Sequence, residues 1–311
     1  MFVFEKEQVI HRIGDVEIGG SPGELPTVLV GTIFYQGDKL VDDAKKGRFD
    51  REAAEDQINA QQEMSDITGN PCMLQVCSES EVAIREFIDF VSDVSDVPFL
   101  IDSTESHVRT AGLRYAEETG LLDRAVYNSI SVSLGAEEIE ELSMVQPESA
   151  IILAFNPHDS SVAGRRAVLE TGIDGDTRGL LALAEEVGIR HPLIDTATTA
   201  LGAGAGSAVA FTFVSKSVYG LPTGSGIHNA PASWTWLQKR KKEDREAYMI
   251  CDAASSILVQ LMGADFVLYG PLKSAKRVFP VASMADILTA ESMKTELGIE
   301  PSDEHPFKKL L

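Results

Sequence analysis

Hydrophobic positions along the chain gather into short uninterrupted runs separated by amphipathic stretches. The runs at 27–33, 72–76, 98–102, 125–128, 150–155, 192–195, 221–227 and 264–270 show no strict alternation with polar residues. That pattern predicts strands buried on both faces, as in a parallel sheet. Between them, helices are predicted over 50–66, 80–91, 105–119, 136–144, 176–187, 202–218 and 243–262. The first carries acidic residues in its opening turn, and Gly120 and Gly188 stop two others. Past Pro280 the chain reads as helix and then polar tail (299–311). Strand and helix alternate in units of about 30 to 40 residues, which implies a parallel α/β architecture. Eight such units in 311 residues close naturally into one (β/α)8 TIM barrel. An open doubly wound sheet accepts the same count, but no Gly-rich fingerprint follows the first strand. Residues 2–18 read as an N-terminal β-hairpin turning at Gly14-Asp15, placed to plug the amino-terminal face of the barrel, and the turn-rich link after it completes segment 1–24. Two connections are long: 34–48, either a lid or docking surface or a solvated loop, and 158–174, with room for part of a helix.

Five of the runs end on a carboxylate or an amide: Asp102, Asn128, Asn156, Asp195 and, just beyond its run, Asn229. In α/β barrels the carboxyl ends of strands carry the chemistry. Asp and Asn also end strands as caps and turn formers, so each residue alone has two explanations. Five on one predicted face favour a binding site. Carboxylates and amides suit a heterocycle with ring N–H groups and acceptors along one edge, such as a tetrahydropterin.

Charge and the remaining motifs mostly exclude. The formal net charge of −21, from 27 Lys and Arg against 48 Asp and Glu, repels nucleic acid. It fits a salty cytoplasm or, less simply, a basic partner. Three cysteines (Cys72, Cys77, Cys251) form no disulfide framework and suggest a reducing compartment. With neither a membrane-spanning run nor a leader, the chain reads as soluble and cytoplasmic. Gly202 to Gly206 is G-x-G-x-G, not a dinucleotide or P-loop spacing. His107, His158, His191 and His228 pair with no cysteine at a zinc spacing, so no metal is expected; His228 is read as a turn residue beside Asn229. No nucleophile elbow is present. Lys273, Lys276 and Arg277 follow the last strand, where barrels bind phosphate, and are candidates for an anionic tail or a solvated helix start. The basic run Lys239 to Lys242, beside Trp234 and Trp236, reads as a surface turn.

Several segments together resemble the family of H subunits of tetrahydromethanopterin S-methyltransferase from methanogenic archaea: Gly20-Ser21-Pro22-Gly23-Glu24-Leu25-Pro26-Thr27-Val28-Leu29, Thr32-Ile33-Phe34-Tyr35, Gly69-Asn70-Pro71, Pro98 to Ser103, Tyr127-Asn128-Ser129-Ile130, Leu193 to Thr196 and Gly226 to Trp234. The resemblance covers nearly the full chain. It implies a pterin-binding methyltransferase barrel that moves methyl between N5-methyl-tetrahydromethanopterin and the cob(I)amide of a corrinoid carried by a partner protein. Asp102, Asn128 and Asp195 match the pterin-ring positions, Asn229 the asparagine that reaches N5, and Asn156 matches less closely. Ser225 departs from the cysteine common in relatives. The resemblance also implies a homodimer, peripheral to a membrane methyltransferase complex. Alternatives are a soluble relative running the reverse transfer, to tetrahydromethanopterin or tetrahydrofolate, a non-enzymatic scaffold, or a dihydropteroate synthase. The last needs Lys and Arg at the ends of strands six and seven, and neither end supplies them.

Overall fold

A computed structural model describes residues 2–173 and 178–311. Eight parallel strands close into a barrel in chain order: β3 (Val28–Ile33), β6 (Cys72–Cys77), β7 (Phe99–Asp102), β8 (Ala125–Ile130), β9 (Ser149–Leu153), β10 (His191–Asp195), β11 (Thr223–Ser225) and β12 (Phe266–Pro271). The TIM barrel expected from the alternation is therefore present. Outside it lie α1 (Arg51–Thr68), α2 (Glu81–Val94), α3 (Ser106–Glu118), α4 (Ala136–Val145), α5 (Val162–Glu170), α6 (Leu180–Glu186), α7 (Ala205–Tyr219), α10 (Arg245–Gln260) and α11 (Ala275–Leu297). Side-chain caps start several of them, as when Asp50 accepts from Ala53 N–H at 3.1 Å and Ser80 from Ala83 N–H at 3.1 Å. Gly69 ends α1 at φ +84°, a left-handed conformation that glycine adopts without a Cβ penalty. The predicted start of the fifth helix at Asp176 lies outside the described residues, and the helix is described from Leu180.

The N-terminal hairpin, β1 (Ile10–Ile13) and β2 (Val16–Gly19), pairs Ile13 with Val16 across its turn. Ile13, Val16 and Ile18 pack with Val28, Val30, Met73, Leu100, Val126, Ile151, Leu193, Phe266 and Leu268. These strand residues alternate with ones facing the helices, so they are the barrel's interior, and the hairpin plugs its amino-terminal end. Two buried polar clusters lock that end. Lys216 Nζ donates to both oxygens of Asp265, at 2.8 and 2.9 Å, and to Gly20 O at 3.0 Å. Asp286 of α11 accepts from Thr27 N–H at 3.0 Å, Thr27 O–H at 2.7 Å and the Asn70 amide at 2.6 Å.

Four local features refine the sequence reading, and one of them, helix within the 158–174 link, is what the sequence allowed for. The 34–48 connection contains a small hairpin, β4 (Val41–Asp43) and β5 (Arg48–Phe49), and Phe34 stacks on Phe87 at 4.1 Å, anchoring it on α2. The 158–174 link contains α5, capped by Ser161. The seventh strand is only three residues, after which α8 (Asn229–Ser233) and α9 (Thr235–Arg240) precede α10. The C-terminal tail is packed: Ser302 N–H donates to Glu24 O at 2.8 Å, His305 is buried, and α12 (Pro306–Lys309) follows.

Candidate active site

On five strands the residue two positions beyond an interior side chain points inward above the apolar plug, so Thr32, Gln75, Asp102, Asn128 and Asp195 share the carboxyl-terminal layer of the barrel. Strand register brings Thr32 beside Gln75 and Asp102 beside Asn128. Three of the predicted strand ends therefore do meet in one mouth.

Asp102 is held by β6. Its Oδ2 accepts from the Gln75 amide at 2.8 Å and from the Cys77 thiol at 3.2 Å. Thr32 O–H in turn donates to Gln75 Oε1 at 2.7 Å, which fixes the amide with its N–H groups toward Asp102. Burial raises the Asp102 carboxyl above its usual range, and the Cys77 and Gln75 hydrogen bonds and the Arg109 charge oppose that shift. Burial beside the carboxylate also pushes the Cys77 thiol well up, so Cys77 serves Asp102 as a donor rather than as a thiolate nucleophile. Gln75 is the site residue that sequence reasoning missed. Its signal was present, as the one amide inside an otherwise apolar strand.

Asp195 is buried, and its Oδ1 accepts from Ala197 N–H at 2.7 Å. Its carboxyl is raised to about 6, first by burial and also by Asp102 across the mouth, against the Ala197 hydrogen bond and the Arg165 charge. Arg165, fully buried, donates to Thr196 O at 2.8 Å and Ala197 O at 3.2 Å and so fixes the chain that leaves β10. Among the described residues nothing donates to Asp102 Oδ1 or Asp195 Oδ2, or bonds the side chain of Asn128. Two acceptor oxygens and one amide are left for a ligand.

The other predicted residues divide. Asn156 Oδ1 accepts from His158 N–H at 2.9 Å and Asp159 N–H at 3.1 Å, and its Nδ2 donates to Gly164 O at 3.2 Å. Its amide is engaged in shaping its own loop, the turn-forming role weighed for such residues. Asn229 is the first residue of α8 and stands exposed at the rim. A Cβ on Gly226 would come 3.3 Å from Asn229 Nδ2, so the glycine leaves that amide room. His228 packs on Gly270, whose φ is +83° and where a Cβ would lie 2.9 Å from the imidazole. Burial lowers His228 to about 4, so the ring is neutral at physiological pH. Ser225 is buried against Thr198, hydroxyl to hydroxyl.

A cleft of about 540 Å³ opens from this mouth and shares Thr32, Gln75 and Asn229 with it. Lys273 and Arg277 line it, whereas Lys276 is exposed and does not. Lys241, read from the sequence as part of a surface turn, does line it, as does Arg245. Among the described residues no group of three His, Cys, Asp or Glu side chains can hold a metal ion.

The fold and mouth define a (β/α)8 barrel whose carboxyl-terminal face presents carboxylates and amides. Solved structures with this fold include dihydropteroate synthase from Xanthomonas albilineans, at 15% identity and TM-score 0.61 over 91% of this chain and 98% of that one. Another is the Coxiella burnetii enzyme, at 13% identity and TM-score 0.59 over 88% and 96%. The chain belongs to the tetrahydromethanopterin S-methyltransferase MtrH subunit family, whose sequence pattern it matches over residues 6–302. It is 48% identical to the H subunit of tetrahydromethanopterin S-methyltransferase from Methanothermobacter thermautotrophicus, over 311 residues and the full length of both chains. It is 49% identical to the H subunit of the putative methyltransferase mtx from Methanosarcina acetivorans, again end to end.

Proposed function

We propose that the chain transfers the methyl group of N5-methyl-tetrahydromethanopterin to a cobalt(I) corrinoid carried by a partner protein. The observation that carries this reading is the pair of carboxylates, half-buried Asp102 and buried Asp195, each with one oxygen fixed by the protein and one left open in the mouth. They suit the N–H groups along a pterin edge, and the unpartnered Asn128 amide can donate and accept beside them. Asn229, at the rim, donates a hydrogen bond to N5, which takes up a proton from solvent as its bond to methyl breaks so that the pterin leaves as the neutral N5–H amine; an unassisted amine is a poor leaving group. The reduced corrinoid supplies the nucleophile, so the chain's task is positioning. Asn156 holds the loop after β9 rather than the ring. A dihydropteroate synthase reading gains nothing from the fold, since β10 and β11 run out through Thr196-Ala197 and Gly226-Ile227 with no Lys or Arg.

The relatives' designation as subunits supports assembly with partner proteins; in this reading the partner carries the corrinoid and attaches the chain to a membrane complex. No described helix is long and apolar enough to cross a membrane. A homodimer is supported by apolar side chains exposed on α10 and α11, among them Ile250, Leu258, Met284 and Leu288; sedimentation at the monomer mass rules it out.

Isothermal titration tests the site, using tetrahydromethanopterin and tetrahydrofolate with and without the N5-methyl group. Binding that favours the methanopterin forms is expected. Absence of binding to any of them overturns the reading.

A further inference from the structure

The cleft that leads from the mouth inverts the charge of the molecule. The chain carries a net charge of −21, yet Lys241, Arg245, Lys273 and Arg277 converge on this cleft, and among the described residues Asp252 is the only acid lining it. None of the four forms an ion pair among the described residues, although most Arg and Lys with close partners elsewhere bind carboxylates. Their contacts are neutral. Lys241 Nζ lies 3.7 Å from the centre of the Tyr248 ring, Lys273 donates to the Tyr35 hydroxyl at 3.2 Å, and Arg277 donates to the Ser274 hydroxyl at 3.0 Å. Lys241 and Arg245 come from the segment after β11, and Lys273 and Arg277 from the segment after β12, so the cations stand on two separate stretches of chain. In so acidic a chain, cations left without acids at one place are a built preference for an anion.

We propose that this cleft is a second subsite that binds the anionic side chain of the pterin substrate, with Lys241, Arg245, Lys273 and Arg277 as its phosphate or carboxylate ligands. The inference rests on the pterin reading of the mouth. The cleft begins at residues shared with the mouth, so an extension of the same ligand can occupy both. At about 540 Å³ it suits a chain-like group and is too small to enclose a corrin macrocycle. Guanidinium groups offer paired donors to phosphate and carboxylate oxygens, and the two tyrosines flank the ammonium groups. Asp252 stands among these cations, and burial raises its carboxyl to about 6 against the pull of Arg277 and Lys241. The subsite gives affinity and substrate choice, not methyl-transfer chemistry.

The same anion chemistry exists in the phosphodiester of a corrinoid nucleotide, so the test separates the two sources. The full chain and an Arg245→Gln/Arg277→Gln variant are titrated with tetrahydromethanopterin and with 6-methyl-tetrahydropterin, which lacks the side chain. Both arginines are exposed, so replacing their side chains opens no space in the core. The variant is expected to bind tetrahydromethanopterin about 30-fold more weakly and with a shallower salt dependence, while its affinity for the tail-less pterin is unchanged. Lys242→Gln, a single charge change off the cleft, is expected to match the wild type. Equal losses for both pterins, or no loss for either, overturn the subsite. A variant whose pterin affinities hold while its KM for cob(I)alamin rises assigns the cations to the corrinoid and also overturns it. If the wild type binds neither pterin, the reading of the mouth fails first, and the subsite falls with it.

Discussion

Replacing Asp195 with Asn separates what the mouth does for a ligand from what it costs the fold. Burial holds the Asp195 carboxyl at about 6 in the folded chain, against an ordinary value of 3.8. Because the folded-state value is the higher one, the folded protein retains a proton that the unfolded chain has lost between those two pH values. Stability therefore falls as pH rises through that window and stays reduced above it. A difference of about two pH units corresponds to about 3 kcal/mol. The Ala197 hydrogen bond and the Arg165 attraction are already counted in that value; asparagine keeps an oxygen for the Ala197 N–H but places an amide without a protein partner in the mouth, so the net gain is smaller. Asp195→Asn is expected to be about 2 kcal/mol more stable than the wild type at pH 8, with the gap closing toward pH 4. The same variant is expected to bind tetrahydromethanopterin at least about tenfold more weakly, because a charge-assisted acceptor becomes a neutral amide. Urea unfolding at several pH values, with titration calorimetry at pH 8, measures both. A variant no more stable than wild type at pH 8, or a gap that does not narrow on acidification, refutes the electrostatic account of the mouth. Natural sites commonly retain such destabilising groups where the chemistry needs them.

Two further perturbations probe the supports. Gln75→Leu removes a donor that holds Asp102 ionised, so the Asp102 carboxyl rises further and pterin binding weakens; the pH below which affinity falls is expected to move upward in titrations from pH 5 to 8, and an unmoved profile counts against the Thr32, Gln75 and Asp102 relay. Lys216→Met leaves Asp265 buried without its cation and is expected to destabilise the chain by about 3–5 kcal/mol at pH 8. That loss should shrink on acidification, as the isolated Asp265, held above its ordinary range by burial, takes up a proton, and a denaturant midpoint deficit independent of pH contradicts it.

The barrel was legible because strands buried on both faces leave uninterrupted apolar runs, and each run ends where the chain meets solvent. Asp102, Asn128 and Asp195 were visible as polar residues at those ends. Asn156 was equally visible, but its hydrogen bonds to the loop at His158, Asp159 and Gly164 depend on how that loop folds back, which no spacing encodes. The short helices after β11 escaped notice because Ala230 to Gln238 lacks a long amphipathic period. Lys241 and Arg245 became site residues only when that segment was laid against the one after β12. A basic run on a surface turn and a basic wall of a cleft have the same sequence. The small hairpin at β4 and β5 is likewise set by an aromatic cluster of Phe34, Phe49, Phe87 and Phe90, drawn from separate elements.

Methyl transfer itself is tested most directly by the rate at which the purified chain converts N5-methyl-tetrahydromethanopterin and cob(I)alamin to methylcobalamin, measured for wild type and Asn229→Ala. The wild type is expected to turn over, and the variant to lose about a hundredfold or more in kcat with pterin affinity changed only modestly. Equal turnover by the two proteins contradicts the role given to Asn229, and no turnover by the wild type, with pterin bound, contradicts the proposed reaction.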